Sequence, residues 1–306
     1  MIRHAKHDYI ELLYVYGAAV SVLVVLALTV MPFDVPSVGL LVSRQEELGI
    51  YKGDPFTQVD VHGKSYIVYD LVDKKVIASK NSDEVLPLAS VTKLMMGLTA
   101  LSHFDKDTKI TIKQESIEDG YDLGLKKGQV WTLGELLKYT LVFSSNDGAH
   151  AIADTLGGAG KRTAFVEMMN EESKSLGLSL TFTDAAGEDL RGQIGGKGSA
   201  AEVAKLFAIA RSKYPEILDA TTRTRVTTKA SNGLISGIPN TNQDINNFFG
   251  AEVSKTGFTD AAGGNLGVVV DVALGHPVAI VVLGSSHEDR FSDVENLYKS
   301  LVESLK

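Results

Sequence analysis

Two β-rich runs near the start of the chain, two near its end and helical patterning between them most constrain what it can fold into. Ser65-Tyr66-Ile67-Val68-Tyr69-Asp70 and Lys75-Val76-Ile77-Ala78 are separated by the polar pair Asp73-Lys74 and read as a hairpin. Leu266 to Ala273 and Pro277 to Leu283 flank Leu274-Gly275-His276 and read as another. Between them, Leu88 to Leu101 is apolar on most faces, as a buried helix is, and Ile110-Thr111-Ile112 reads as a short strand. Leu133 to Phe143 and Ala149 to Leu156 read as helices split by Ser144-Ser145-Asn146-Asp147, and Thr163 to Leu176 as an amphipathic helix. Ser199 with Glu202 forms a capping box that opens a helix through Arg211. Strands are predicted again from Glu252, and a last helix over Asp289 to Lys306. This order predicts an α+β architecture: a mainly antiparallel sheet built from both chain ends, flanked by helices, with a helical subdomain inserted. The hexapeptide Phe-Thr-Asp-Ala-Ala-Gly occurs at Phe182 and again at Phe258. Its flanks do not match, so it reads as chance or shared turn chemistry and not as a repeat.

The N-terminus has a different texture. Leu12 to Phe33 is 22 residues without a charged side chain. At about 1.5 Å rise per residue a helix of that length crosses a hydrocarbon core of roughly 30 Å. Arg3 and Lys6 precede it, which places the N-terminus in the cytoplasm. A cleaved signal peptide has a shorter apolar core and a small-x-small site, whereas this segment ends in Met31-Pro32-Phe33. The expected organisation is a cytoplasmic tail over 1–11, a single-pass transmembrane anchor over 12–33, a juxtamembrane linker over 34–55 and one catalytic domain over 56–306.

Composition narrows the chemistry. A net charge of −8 and no basic stripe leave nothing for a nucleic acid to hold. The lack of cysteine excludes disulfides, thiolate metal sites and a cysteine nucleophile. No His-x-x-x-His pair with an acidic partner occurs among the seven histidines, so neither a metal nor another cofactor is expected. Gly157-Gly158-Ala159-Gly160-Lys161-Arg162 lacks the first glycine and the final hydroxyl residue of a phosphate-binding loop.

Three motifs, in a fixed order, carry the chemistry. Ser90-Val91-Thr92-Lys93 is the one Ser-x-x-Lys in the chain. Three residues apart on a helix, the Lys93 amine lies beside the Ser90 hydroxyl. Serine needs a base, and a lysine can serve if burial depresses its pKa; the apolar flanks Leu86-Pro87-Leu88 and Leu94-Met95-Met96 supply that burial. Ser144-Ser145-Asn146 offers a second hydroxyl for proton relay and an amide for a substrate carbonyl. Taken alone it reads more simply as a helix cap. Lys255-Thr256-Gly257 lies on an expected strand, where Lys255 and Gly257 share a face. The cation there can hold a carboxylate, and the glycine admits a substrate backbone to the strand edge. Each motif alone is weak; together, once each and in this order, they point to acyl transfer through an active-site serine.

These residues resemble the low-molecular-mass penicillin-binding proteins, the D-alanyl-D-alanine carboxypeptidase family of serine peptidases. The likeness runs from about Tyr66 to Leu301 and includes Leu86 to Met95, Ser144 to Ala149, Asn240-Thr241-Asn242, Lys255 to Gly263, Val282 to Ser286 and Arg290-Phe291-Ser292-Asp293. The resemblance implies a β-lactamase/transpeptidase-like fold and a penicillin-binding catalytic domain. It makes Ser90 the nucleophile and Lys93 its base. Ser144 and Asn146 then assist proton transfer and substrate binding, and Lys255 and Thr256 hold the terminal carboxylate. The backbone N–H groups of Ser90 and Phe258, the latter following Gly257, form an oxyanion hole. Lys93 is expected to act as a neutral base while Lys255 stays charged. The implied partners are a peptidoglycan stem peptide ending in D-Ala-D-Ala and β-lactam inhibitors, with the catalytic domain outside the bacterial cell membrane. Many relatives add a β-rich domain and a C-terminal amphipathic anchor. The 49 residues after Gly257 suffice only for the rest of the sheet and a last helix, so the N-terminal segment is expected to replace that anchor.

The alternatives are a D,D-endopeptidase of the same family, a class A-like β-lactamase and a catalytically silent wall-binding module. A lactamase needs a carboxylate to activate water. Asp184, Glu188 and Asp189 are the acidic candidates in the loop between the second and third motifs, in a glycine-flanked stretch with no evident reason for a rigid inward geometry. This stretch also stands where many relatives have an Asn-Pro-x-Gly turn.

Overall fold

Why the chain's two ends form one sheet is visible in how they are buried. In a computed structural model, which describes residues 54–117, 125–190 and 192–306, the strands β1 (Ser65–Asp70) and β2 (Lys75–Lys80) form the expected first hairpin. A short β3 (Leu86–Pro87) and a 3₁₀ turn (Ala89–Val91) lead into α1 (Thr92–His103). Then follow β4 (Lys109–Thr111), β5 (Val130–Thr132), α2 (Leu133–Phe143), α3 (Asn146–Leu156) and α4 (Lys161–Ser175). Next come β6 (Thr181–Phe182), β7 (Gly196–Gly198), α5 (Ala200–Lys213), α6 (Pro215–Leu218), β8 (Arg225–Ala230) and β9 (Gly233–Pro239). The chain closes with β10 (Ala251–Thr259), β11 (Gly263–Asp271), β12 (Pro277–Ser285) and α7 (Asp289–Ser304).

The main sheet has the order β10-β11-β12-β1-β2, and every pairing is antiparallel. Its central strand β12 is an unbroken apolar run because both faces are covered. Val278, Ile280 and Val282 point to α7 and meet Val294, Leu297 and Leu301; Ala279, Val281 and Leu283 point the other way, into the larger core with Val203 and Phe207 of α5. Each fully buried Val, Leu or Phe here contributes roughly 1.5–3 kcal/mol. Gly267 of β11 lets the tip of the Phe207 ring reach the sheet: a Cβ there would sit 2.5 Å from Phe207 Cζ. The helical half is built around α1, which is buried from Thr92 through Ala100.

The α+β expectation and the antiparallel sheet from both chain ends therefore hold. Two local readings shift. Ser199 caps α5 by accepting the Glu202 N–H at 3.3 Å, but the Glu202 carboxylate turns to Ser179 N and Lys205 instead of closing the box. The hairpin β8–β9 was not foreseen, although Asn232-Gly233 at its turn is the residue pair such turns favour. Residues Gly53–Lys306 form one compact unit. The expected tail and anchor, and the linker up to residue 53, lie outside the described residues. Among the described residues no helix is long and apolar enough to cross a membrane.

Candidate active site

The three motifs, far apart in sequence, meet where β10 passes the start of α1. Ala89, just before the candidate nucleophile, has φ of +47°, a conformation that costs a non-glycine residue of order 1–3 kcal/mol and persists only where the surroundings impose it. Ser90 lies in the 3₁₀ turn, two residues before the α-helix proper, and Lys93 lies on the first turn of α1. Gly257 brings β10 close to this turn, since a Cβ there would lie 2.8 Å from Leu88 O and 3.2 Å from Ser90 N. Asn265 of β11, fully buried, ties the turn down from the other side by donating to Pro87 O at 3.0 Å.

The second motif divides two tasks between adjacent serines. Ser145 does the capping: its Oγ accepts the Gly148 N–H at 2.7 Å at the start of α3. Ser144, which ends α2 in a left-handed conformation with φ of +62°, and Asn146 are thereby turned toward the cleft. The cap expected of this motif thus falls on Ser145 alone, and Ser144 and Asn146 are left to face the two lysines.

Two lysines define the cleft. Lys93 Nζ lies 2.7 Å from Ser90 Oγ, 2.6 Å from Asn146 Oδ1 and 2.8 Å from Ala186 O. Lys255 Nζ lies 2.8 Å from Ser144 Oγ and 2.9 Å from Thr256 O. Both side chains are buried. Burial, then Lys93, then Arg290 push the Lys255 pKa well below the ordinary lysine value. Lys255 is expected to stay charged; the burial of its amine opposes that charge, and a carboxylate placed beside it would favour it. Thr256 Oγ1 bonds Thr241 Oγ1 at 2.6 Å, which adds Thr241 to the carboxylate end of the cleft. The Asn240-Thr241-Asn242 segment was part of the resemblance, but no role for Thr241 was legible before β8–β9 placed it. Arg290 of α7 donates to Gly257 O at 2.9 Å, and its burial lowers it to about 10. The Phe258 side chain faces away from the two buried lysines: it is 44% exposed and packs edge-on against His287 at 4.7 Å, so what it can offer the cleft is its backbone.

The loop after β6 departs from expectation. Asp184 is 3% exposed and turned inward: its Oδ1 accepts Ala186 N at 2.8 Å and Glu188 N at 3.0 Å. Burial by itself would raise Asp184; the hydrogen bond and charge of His150, then the N–H groups of Glu188 and Ala186, outweigh it and lower it to about 2. His150 Nε2 lies 3.4 Å from Asp184 Oδ2 and 3.2 Å from Glu188 Oε2. Asp184 is thus hydrogen-bonded and turned inward, contrary to the glycine-flanked appearance of the stretch. Weighing histidines only in His-x-x-x-His pairs passed over His150; its i+4 spacing from Asn146 on α3 was the available signal. Ligand-type atoms of His150, Asp184 and Glu188 lie within 4.8 Å of one another, as do those of Asp70, Asp73 and His276 at the far hairpin. In both groups the histidine sits directly against the carboxylates.

A half-buried serine beside a buried lysine, a second serine–lysine pair across the cleft and a strand glycine against the Ser90 turn make an arrangement suited to acyl transfer. The sequence model of the D-alanyl-D-alanine carboxypeptidase family, peptidase S11, matches residues 53–287. The chain belongs to this family. It is 30% identical over 248 residues to the D-alanyl-D-alanine endopeptidase of Escherichia coli, covering 79% of this chain and 77% of that protein. It is 28% identical over 241 residues to the D-alanyl-D-alanine carboxypeptidase DacF of Bacillus subtilis, covering 76% and 60%. Cefotaxime-bound penicillin-binding protein D2 from Listeria monocytogenes superposes with a TM-score of 0.69 at 28% identity, over 79% of this chain and 97% of that one. The penicillin-binding fold expected from the motifs is the fold observed.

Proposed function

We propose that this member of the family is a serine-type D-Ala-D-Ala carboxypeptidase that trims peptidoglycan stem peptides through an acyl-enzyme on Ser90. The observation that carries the reading is the Lys93 amine 2.7 Å from Ser90 Oγ. Ser90 Oγ attacks the carbonyl of the penultimate D-Ala, and its proton passes to Lys93 Nζ. Charge on the carbonyl oxygen develops toward the N–H groups of Ser90 and Phe258. The C–N bond breaks as the departing amine takes a proton, through Ser144 and Lys255 or back from Lys93, and free D-Ala leaves. Water then attacks the ester, gives up its proton to the same bases and restores Ser90. Lys255, Thr256 and Thr241 form the end that receives the terminal carboxylate, and Asn146 both holds Lys93 and offers its amide to the peptide. A β-lactam carries the same acyl and carboxylate groups, and its ring opens onto Ser90 without releasing the leaving group.

A second reading is favoured by one finding, the 30% identity to an endopeptidase over most of both chains. In a D,D-endopeptidase the departing amine belongs to a cross-linked residue that also bears a carboxylate beside the scissile bond, so the same Lys255 end serves. Fluorescent penicillin should label the wild type and leave Ser90→Ala dark; equal labelling of both would remove Ser90 from the mechanism. Digestion of a muropeptide mixture, read by mass, separates the activities: loss of one D-Ala from monomers marks a carboxypeptidase, and conversion of dimers to monomers an endopeptidase.

We further infer that Leu12 to Phe33 anchors the protein in the membrane with Ser90 on the extracytoplasmic side. The uncharged 22-residue run, the preceding Arg3 and Lys6 and an extracytoplasmic substrate support this. Membrane-extracted protein whose sequence begins after Pro32 would show a cleaved signal instead.

A further inference from the structure

The hydrogen bonds of Lys93 lead one layer behind the cleft. A neutral amine has two N–H donors and one lone pair. Of the three oxygens around Lys93 Nζ, Asn146 Oδ1 at 2.6 Å and Ala186 O at 2.8 Å can only accept. If these two take the N–H groups, the lone pair is left facing the Ser90 hydroxyl at 2.7 Å, which alone of these three has a proton to give. Without the Ala186 carbonyl the amine is free to turn about its Cε–Nζ bond, and its lone pair is no longer aimed.

What holds that carbonyl is a buried aspartate that faces a buried histidine. Asp184 Oδ1 gathers the N–H groups of Ala186 and Glu188, which folds the loop around the carboxylate. Gly187 between them has φ of +81°, and a Cβ there would lie 2.0 Å from Ala89 O, so this loop rests directly on the residue before the nucleophile. Asp184 Oδ2 faces His150 Nε2 at 3.4 Å. His150, 1% exposed, is one turn beyond Asn146 on the same face of α3. One helix face therefore governs two of the oxygens around the base: Asn146 by direct contact, and Ala186 O through His150 and Asp184. We propose that His150 and Asp184 are positioning residues for this reaction, which hold the Ala186 carbonyl on Lys93 so that the base points at Ser90.

The inference rests on Lys93 being the base. It acts on the chemical step and not on ligand binding, since neither residue lies at the carboxylate end. Single-turnover acylation of the full chain by a fluorescent penicillin, over a concentration series, separates noncovalent affinity from the acylation rate constant. Asp184→Asn, which keeps an acceptor for the two N–H groups but loses the charge, should slow acylation about 30-fold and leave noncovalent affinity within about threefold. His150→Gln should slow it about tenfold, and the double variant should be no slower than Asp184→Asn alone, because the two act through one contact. Both single variants within about twofold of wild type, losses that multiply in the double variant, or a loss in affinity with an unchanged rate constant would each overturn the proposal. Should Asp184→Asn not fold, as thermal unfolding would reveal, His150→Gln alone decides. A wild type that penicillin does not acylate at all would instead remove the reading of Ser90 and Lys93 on which this one stands.

Discussion

The same six residues, Phe-Thr-Asp-Ala-Ala-Gly, occur at 182–187 and 258–263 and do different work. In the first copy Phe182 is 4% exposed and Asp184 3%, while in the second Phe258 is 44% exposed and Asp260 lies at the surface. The turn chemistry is shared in part. Both copies end in a glycine with positive φ, +81° at Gly187 and +67° at Gly263. In each, a side-chain oxygen accepts an alanine N–H: Asp184 Oδ1 from Ala186, and Thr259 Oγ1 from Ala262. The copies even approach each other, for Asp189 just beyond the first accepts the Thr259 hydroxyl of the second at 2.6 Å. The first follows a two-residue strand and dives under α1 toward His150; the second ends a long edge strand and turns back into the sheet. A hexapeptide sets its own turn, and its neighbours decide which side chains are buried.

That contrast can be broken at three points. The largest effect is expected at the phenylalanines. Phe182→Ala should cost about 3–5 kcal/mol, because the ring is in the core and its backbone is held at both ends by Asn170; Phe258→Ala should cost under about 1 kcal/mol. Chemical denaturation of both variants checks this, and equal losses would mean that burial does not separate the copies. The glycines come next. Alanine at Gly187 would meet Ala89 O, and alanine at Gly263 would meet Ser285 O at 2.5 Å, so each should destabilise by about 1–3 kcal/mol. Only Gly187→Ala should also slow penicillin acylation, since only that copy lies against the nucleophile turn.

The smallest effect is in the pH dependence of stability. Asp184 has a lower pKa in the folded chain, about 2 against an ordinary 3.8, so its contribution is complete above pH 4 and is lost as pH falls toward 2. The shift corresponds to about 2 kcal/mol. Between pH 6 and pH 2 the wild type should therefore lose about 2 kcal/mol more than Asp184→Asn does. Denaturant midpoints across that range decide the matter, and an Asp184→Asn curve parallel to wild type would refute the buried pairing.

Much of this protein was legible in its sequence, and the reason is that its signals were local. Period-two and helical hydrophobic patterns located β1, β2, β11, β12 and α7, because each buries a regular face. The order of Ser90-x-x-Lys93, Ser144-x-Asn146 and Lys255-Thr256-Gly257 named the residues that the fold brings into one cleft. What stayed hidden depended on partners distant in the chain. Nothing around Asp184 indicates that His150 lies across from it, and its glycine neighbours suggested an open loop. Lys255 could be read as a standing cation because its burial, and the nearness of Lys93 and Arg290, exist only after β10 is laid beside α1. Composition and short-range pattern determined which residue types face inward and which chemistry they can perform. Tertiary structure alone decided which two lysines repel, which carbonyl aims the base and which of two identical hexapeptides is buried, because electrostatics and packing depend on distance in space and not on separation along the chain.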